Sequence, residues 1–259
     1  MVVWDYDNFI FDLYGTLIDI SCDERKLSLW KQMSRFYSVY GSDHKAGKMR
    51  DLHFAMDKEE RDLLIKERGM VSPEIRLEKV FARLLFECEH THPADICIAG
   101  KPVDELRKRY TDDKEGVLDI VQKSEWAVAV SNLFRTCSRK YIRLFPGIRE
   151  VLDGLRREGK KVYLLSNAQR IFTGPELELT DLMGSFDAVY ISSDHYLKKP
   201  DPGFMEILLK GEGLDPDRSV MIGNEEDSDV AVAKACNMNS ILLKTAEFNK
   251  KDLLDLFFA

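Results

Sequence analysis

The sequence has no uninterrupted apolar stretch near the ~20 residues that a bilayer-spanning helix requires, so a membrane-embedded protein is not expected. Its opening, MVVWDYDNFIF, carries neither a basic leader nor a small-residue cleavage site. That segment reads as the first strand of a mature fold, and a cytoplasmic location is expected. Cysteine is scarce: five residues, odd in number and scattered, which fits reduced thiols rather than a disulfide framework. An excess of basic charge is also missing. With 38 Lys+Arg against 45 Asp+Glu the formal net charge is −7, which argues against the phosphate-tracking surface of a nucleic-acid-binding protein. Internal repeats and low-complexity tracts are absent as well.

What is present suffices for one large α/β domain or for a core with a smaller companion: 259 residues, 44% of them hydrophobic. Two regions differ in period. The run FIFDLYGTLI within residues 8–18 is short and apolar. From about residue 20 to 144 the spacing is helical. Leu27, Trp30, Met33, Phe36, Tyr37 and Tyr40 recur at three and four, and Trp126, Val130, Leu133, Phe134, Cys137 and Tyr141 form a second stripe. Ser72-Pro73 has the form of an N-cap followed by proline at the first helical position. After Pro146-Gly147, short apolar runs (KVYLLSN, AVYISSD, SVMIGN, SILLK) alternate with helical segments, the signature of a doubly wound parallel sheet. The expected fold is therefore an α/β Rossmann-like core, residues 1–19 and 145–259, with an all-helical domain of residues 20–144 inserted after the first strand. Charge divides along the same line: the insertion carries a net +3 and the remainder −10. An acidic core beneath a mildly basic insertion suits a divalent cation and an anionic substrate.

Open α/β sheets build their sites beyond the carboxyl ends of the strands. The informative polar residues fall there: Asp12, Tyr14 and Thr16 after the first run, Ser166 and Asn167 after the second, Lys198-Lys199-Pro200 after the third, and Asn224, Glu225 and Asp229 after the fourth. A single carboxylate or hydroxyl after a strand is commonly a cap. Four such groups in succession are not explained that way. A separate cluster, Cys88, His90, His92 and Cys97, offers four zinc-type ligands, but its spacing matches none of the usual structural zinc patterns; a solvated helix end is the simpler expectation.

DLYGTL, LLSN, KKPDP and GNEEDSD, in that order, resemble the four motifs of the haloacid dehalogenase superfamily. The resemblance implies strand order 5-4-1-2-3, a cap inserted after the first strand, and hydrolysis through a covalent aspartyl intermediate. It assigns Asp12 as nucleophile. Thr16 and Ser166 would donate to the transferring group, helped by the Asn167 amide or backbone. Lys199 would neutralise the nucleophile and the developing charge, and Asp229 would orient that lysine or a metal-bound water. It further implies Mg²⁺ held by Asp12, the Tyr14 backbone carbonyl, Asn224 and Glu225, with a small phosphorylated metabolite as substrate.

Two departures bear on the chemistry. The superfamily's phosphatases carry an acid two residues beyond the nucleophile, where this chain has Tyr14. A phenol with a pKa near ~10 can donate a proton but is a poor base at neutral pH. The DxYGT form resembles haloacid dehalogenases, whose halide leaving group needs no proton. The other departure points back: Glu225, Glu226, Asp227 and Asp229 crowd the fourth motif, and repulsion among acids near Asp12 calls for a hard cation. Met205 stands where a dehalogenase-like tyrosine would fall, and Arg35 and Arg50, the possible cap arginines, sit in no recognisable motif. The expected activity is thus a Mg²⁺-dependent phosphatase. A metal-free 2-haloacid dehalogenase, or a superfamily member acting as a binding or regulatory protein, are the alternatives.

Overall fold

The computed structural model describes residues 5–87, 89 and 92–258. The chain divides into two compact units. One comprises the chain up to Ser21, the short segment Gly69–Glu74, and everything from Tyr141 onward; the other comprises Cys22–Arg68 and Ile75–Lys140.

The first unit is built on a five-stranded parallel sheet. Across the sheet the strands run Ala188–Ile191, Lys161–Ser166, Asn8–Phe11, Ser219–Gly223 and Asn239–Leu242. Asn8–Phe11 is central, in register with Lys161–Leu164 on one side and Ser219–Ile222 on the other. All four of its residues are buried. That explains why the run is continuously apolar rather than alternating: both sheet faces are covered. Phe9 and Phe11 face a layer containing Val151, Leu152 and Leu155 of helix Ile148–Arg157 and Leu253 and Phe257 of helix Lys250–Phe258. Ile10, between them in sequence, faces the opposite layer with Phe204, Met205 and Leu208 of helix Pro202–Glu212. Asp201 caps that helix by accepting from Gly203 N, and Pro202 opens it, as P-at-N1 chemistry favours. Met205 is fully buried in this layer, so its position is filled by packing.

The second unit is helical: Leu27–Ser38, Ala46–Arg68, Leu77–Phe86, Val103–Asp112, Lys114–Gln122 and Glu125–Ser138. Leu29, Trp30, Met33 and Tyr37 form the buried stripe of the first helix. Trp30, His53, Phe81 and Phe134 share an aromatic core, with His53 stacked on Phe81 at 5.4 Å between centroids. A short hairpin, Cys97–Ile98 with Lys101–Pro102, interrupts the helices.

The sequence reading misses three local features. Ile18–Cys22 and Arg139–Leu144 pair as a two-stranded sheet, so Tyr141 belongs to a strand rather than to the preceding helical stripe. The Ser72-Pro73 pair does not start a helix. Pro73 forms an antiparallel bridge with Leu197, and the next helix begins at Leu77. Gly69–Glu74 accordingly belongs with the sheet unit by its contacts, although it lies in the middle of the insertion in sequence. Of the four zinc-type ligands, Cys88 and His90 lie outside the described residues. His92 Nε2 sits 3.2 Å from Ser38 O, and Cys97 is exposed. Among the described residues no helix is long and apolar enough to cross a membrane.

Candidate active site

Asp12 is the first residue past the central strand, and its N–H still donates to Ile222 O at 2.9 Å, continuing the ladder. Its side chain is 11% exposed. Two glycines let the neighbouring loops close around it. Gly15 has φ +86°, and a Cβ there would meet Asn224 Nδ2 at 2.6 Å. Gly223 ends its strand where a Cβ would meet Asp229 Oδ2 at 2.1 Å, so glycine is what lets that carboxylate fold back against the strand end. One turn of π-helix, Glu226–Val230, carries Asp229 into that position.

Lys199 is the centre of the site. Its Nζ donates to Asp12 Oδ1 at 2.7 Å and to Asp229 Oδ1 at 2.6 Å. The side chains of Lys199 and Asp229 are almost sealed from solvent, at 1% and 2% exposed. The remaining Asp229 oxygen accepts from Glu225 N at 3.0 Å. Burial pushes the Asp12 carboxyl above the usual carboxylate range; Lys199 opposes that shift and Asp229 reinforces it. Burial alone would depress the Lys199 ammonium, but its two carboxylate partners hold it above the ordinary lysine value. Two carboxylates and one ammonium leave one surplus negative charge in a desolvated place.

Thr16, fully buried, donates to Asn224 Oδ1 at 2.9 Å, and its hydroxyl also lies 3.4 Å from Asp12 Oδ2. An aspartate oxygen and an amide oxygen therefore converge on one hydroxyl. Ser166 ends the strand adjacent to Asp12 and is 1% exposed; its Oγ has no hydrogen-bond partner among the described residues. Of the two groups of Asn167 expected to help, the side-chain amide and the backbone, the amide is engaged elsewhere. Its Nδ2 donates to Lys199 O at 2.9 Å and its Oδ1 accepts from Lys199 N at 2.8 Å. The amide is thus spent on clamping the lysine's backbone.

Tyr14 is turned toward helix Arg170–Leu179. Its phenol donates to Glu176 Oε2 at 2.5 Å and lies 3.2 Å from Thr173 Oγ1. Glu176 is 1% exposed and escapes the sequence reading. Its signal is an acid in the buried stripe Phe172, Thr173, Glu176, Leu177. Of the four acids in the last motif, Asp229 alone is buried. Glu225, Glu226 and Asp227 are exposed, and Glu225 accepts from Ser228 Oγ at 2.9 Å. The crowding of acids around Asp12 therefore reduces to Asp229, already paired with Lys199. Arg50 pairs with Asp51, and Arg35 is exposed.

No group of three or more His, Cys, Asp or Glu side chains among the described residues is arranged to hold a metal ion. The donors near Asp12 are nonetheless all oxygen, as a hard cation prefers, and the surplus charge is negative. Asp12 Oδ2 and Asn224 Oδ1, converging on the Thr16 hydroxyl, fit such an ion with help from backbone carbonyl and water.

Comparison with known proteins identifies the family. Residues 6–237 match the family model described as haloacid dehalogenase-like hydrolase. A glyceraldehyde 3-phosphate phosphatase of Pyrococcus furiosus is 26% identical over 171 residues, covering 63% of this chain and 71% of the relative. A phosphoglycolate phosphatase of Nitrosococcus oceani is 30% identical over 159 residues, covering 60% and 69%. Among solved structures, the 2-haloacid dehalogenase of Pseudomonas syringae pv. tomato superposes with TM-score 0.53 at 16% identity, over 93% of this chain and 85% of that one. That last likeness speaks to the fold. With Asp12, Lys199 and Asp229 joined at the end of a parallel sheet and a family model covering nearly the whole length, the chain belongs to the haloacid dehalogenase-like hydrolases.

Proposed function

We propose that the protein is a phosphatase that hydrolyses a small phosphorylated metabolite through an aspartyl-phosphate at Asp12. The observation that carries this reading is the Ser166 hydroxyl, buried and unsatisfied among the described residues at the strand end beside Asp12. A buried hydroxyl without a partner costs about 1–3 kcal/mol, and an oxyanion placed there removes that cost. The relatives named as phosphatases support the same substrate class.

In this reading one Asp12 oxygen attacks phosphorus while the ester oxygen departs. Lys199 opposes the burial that disfavours the ionised Asp12 and aims it; Ser166 donates to a phosphoryl oxygen, Thr16 can join it only by turning its hydroxyl away from Asn224, and the Asn167 clamp fixes the lysine's backbone. Water then attacks phosphorus, the bond from Asp12 to phosphorus breaks, and the water proton leaves on the released phosphate, which regenerates the Asp12 carboxylate. Asp229 keeps Lys199 charged and in place throughout. Mg²⁺ would be held by Asp12, the Tyr14 backbone carbonyl and Asn224, with Glu225 reaching it through water; when bound it offsets the surplus negative charge and polarises the phosphoryl oxygens. Tyr14 stands where a leaving-group acid would, but its proton already serves Glu176. Esters with good leaving groups are therefore the favoured substrates.

The test is phosphate release from 2-phosphoglycolate, glyceraldehyde 3-phosphate and p-nitrophenyl phosphate with Mg²⁺ and with EDTA. Release that requires Mg²⁺ and disappears in Asp12→Asn supports the proposal. Halide release from a 2-haloacid in EDTA, without phosphate release from any ester, would replace it with the dehalogenase reading that the DxYGT sequence favours.

A further inference from the structure

The backbone carrying Lys199 is held from two sides. Asn167 takes the N–H and C=O of Lys199 itself. The residue before it faces the other way, as successive N–H groups do in extended chain: Lys198 N donates to Ser72 O at 3.2 Å. Two residues earlier, Tyr196 O accepts from Glu74 N at 2.9 Å, and Pro73 bridges Leu197 between these two bonds. Ser72–Glu74 thus forms a strap antiparallel to Tyr196–Lys198.

The strap is anchored by a side chain. Glu74 is 5% exposed, and its Oε2 accepts from Ser192 Oγ at 3.1 Å. Ser192 Oγ in turn accepts from Ala168 N at 2.8 Å, the residue directly after Asn167, and Ala168 O at 3.0 Å shares the serine's hydroxyl proton with Glu74. The anchor and the clamp therefore meet in one short stretch, Asn167-Ala168. Neither a helix start nor a solvated loop accounts for a buried carboxylate here. The segment's neighbours in sequence, Arg68 and Ile75, belong to the helical unit, yet its hydrogen bonds go to the loop of the catalytic lysine.

We propose that Ser72–Glu74 is a positioning element for Lys199, with Glu74 as its anchoring residue. It sets the backbone from which the ammonium reaches Asp12 and Asp229. This rests on the phosphatase reading for its kinetic arm only. A lysine displaced by even ~1 Å loses transition-state stabilisation more than substrate affinity, because misplacement by that amount can cost ~10²-fold.

The test compares Glu74→Ala and Glu74→Gln with the unaltered protein by p-nitrophenyl phosphate kinetics with Mg²⁺, by thermal melting, and by lysine acetylation with acetic anhydride read by mass spectrometry. Glu74→Ala is expected to lower kcat by about 10- to 100-fold with KM changed less than about threefold. Tm should stay within a few degrees, and Lys199, shielded in the unaltered protein, should become acetylated. Glu74→Gln keeps an oxygen for the Ser192 hydroxyl and should restore most of kcat and the shielding. Unchanged kcat and unchanged Lys199 labelling in Glu74→Ala would overturn the proposal. So would a Glu74→Gln protein as impaired as Glu74→Ala. If the unaltered protein hydrolyses no phosphate ester, the phosphatase reading fails, and the labelling of Lys199 alone decides whether the strap positions it.

Discussion

Each unit of the protein holds a buried cation among acids, and the two arrangements differ in a telling way. In the helical unit Arg83 reaches Glu59, Glu60 and Glu87 at 2.8–3.0 Å. Its acids are shared with further cations: Lys79 with Glu60, Lys114 with Glu87. Glu59 is 61% exposed, so the network drains into solvent. In the sheet unit Lys199 meets Asp12 and Asp229 with no second cation among the described residues and almost no solvent. Arg83 makes four N–H···O bonds to carboxylates, a structural tie. Lys199 is outnumbered by its two carboxylates, and a sealed, unbalanced cluster of this kind is a candidate functional site. Burial raises the Asp12 carboxyl, with Lys199 opposing and Asp229 adding to it; burial also pushes Glu87 up, but Arg83, Lys114 and Tyr110 hold that carboxyl down to about 2.

The contrast is sharpened most by removing the surplus charge. On the proposed phosphatase reading Asp12→Asn removes the proposed nucleophile and should reduce phosphate release by about 10³-fold or more. The same change leaves Lys199 paired one-to-one with Asp229, so the melting temperature should hold or rise, the usual trade at a strained functional site. Steady-state kinetics and calorimetry on one preparation check both. A melting temperature several degrees lower would mean that the Asp12 charge stabilises the fold, and the distinction drawn between the two clusters would fail.

The reverse pattern is expected at Arg83. Arg83→Met removes a side chain that is 6% exposed and takes one cation from Glu59, Glu60 and Glu87, leaving Glu60 to Lys79, Glu87 to Lys114 and Glu59 to solvent. Leaving a buried charge unpaired costs about 3–5 kcal/mol, and the remaining lysines and the exposure of Glu59 place this loss below that range. Urea unfolding should show the loss, while kcat per folded molecule stays unchanged. A large fall in kcat without a fall in stability would assign Arg83 to the chemistry.

How much of this is legible beforehand depends on whether a residue's partner is fixed by local rules. Asp12, Lys199 and Asp229 follow apolar runs that must become neighbouring strands, so their meeting is dictated by strand order. Glu176 is less visible: it interrupts a helical stripe, but nothing local says that Tyr14, far away in sequence, takes it. Ser72-Pro73 misleads outright. The same dipeptide that opens a helix also suits an extended bridge, because proline has no N–H to give either structure and its φ fits both. Only the tertiary partner, Leu197, decides. Asn167 shows the same limit at smaller scale: its position at the strand end is readable, but whether its amide faces substrate or backbone is not.

A third prediction uses pH to separate the units. His53 is 2% exposed among aromatic rings, and burial drives its pKa down to about 4, with Asp57 opposing only weakly. Unfolded, the imidazole titrates near ~6.5. Above that value both states are neutral and the site is silent. As pH falls from 6.5 toward 4 the unfolded chain takes up a proton that the folded one refuses, so stability is lost across that window, by up to about 3 kcal/mol. Chemical denaturation at pH 7 and pH 4.5 should show the loss, and His53→Phe should reduce it selectively. An equal acid sensitivity in His53→Phe would place the cause elsewhere.

The smallest effect is expected where charges are paired but neither is enclosed. Lys58 and Asp62 lie one helical turn apart on Ala46–Arg68 and form an ion pair, with side chains 75% and 55% exposed. Water screens such a pair and the two long side chains lose rotamer freedom to make it, so the gain nearly cancels. Alanine's higher helix propensity offsets part of what remains. Lys58→Ala should therefore move the melting temperature by no more than about 1 °C and leave phosphate release untouched. The measurement matters because it isolates enclosure from pairing. Lys58, Arg83 and Lys199 all contact carboxylates at hydrogen-bond distance, and what separates them is solvent and the count of partners. If Lys58→Ala cost as much as Arg83→Met, contact alone would set the energetics, and the sealed, unbalanced surroundings of Lys199 would lose their meaning as the mark of the site.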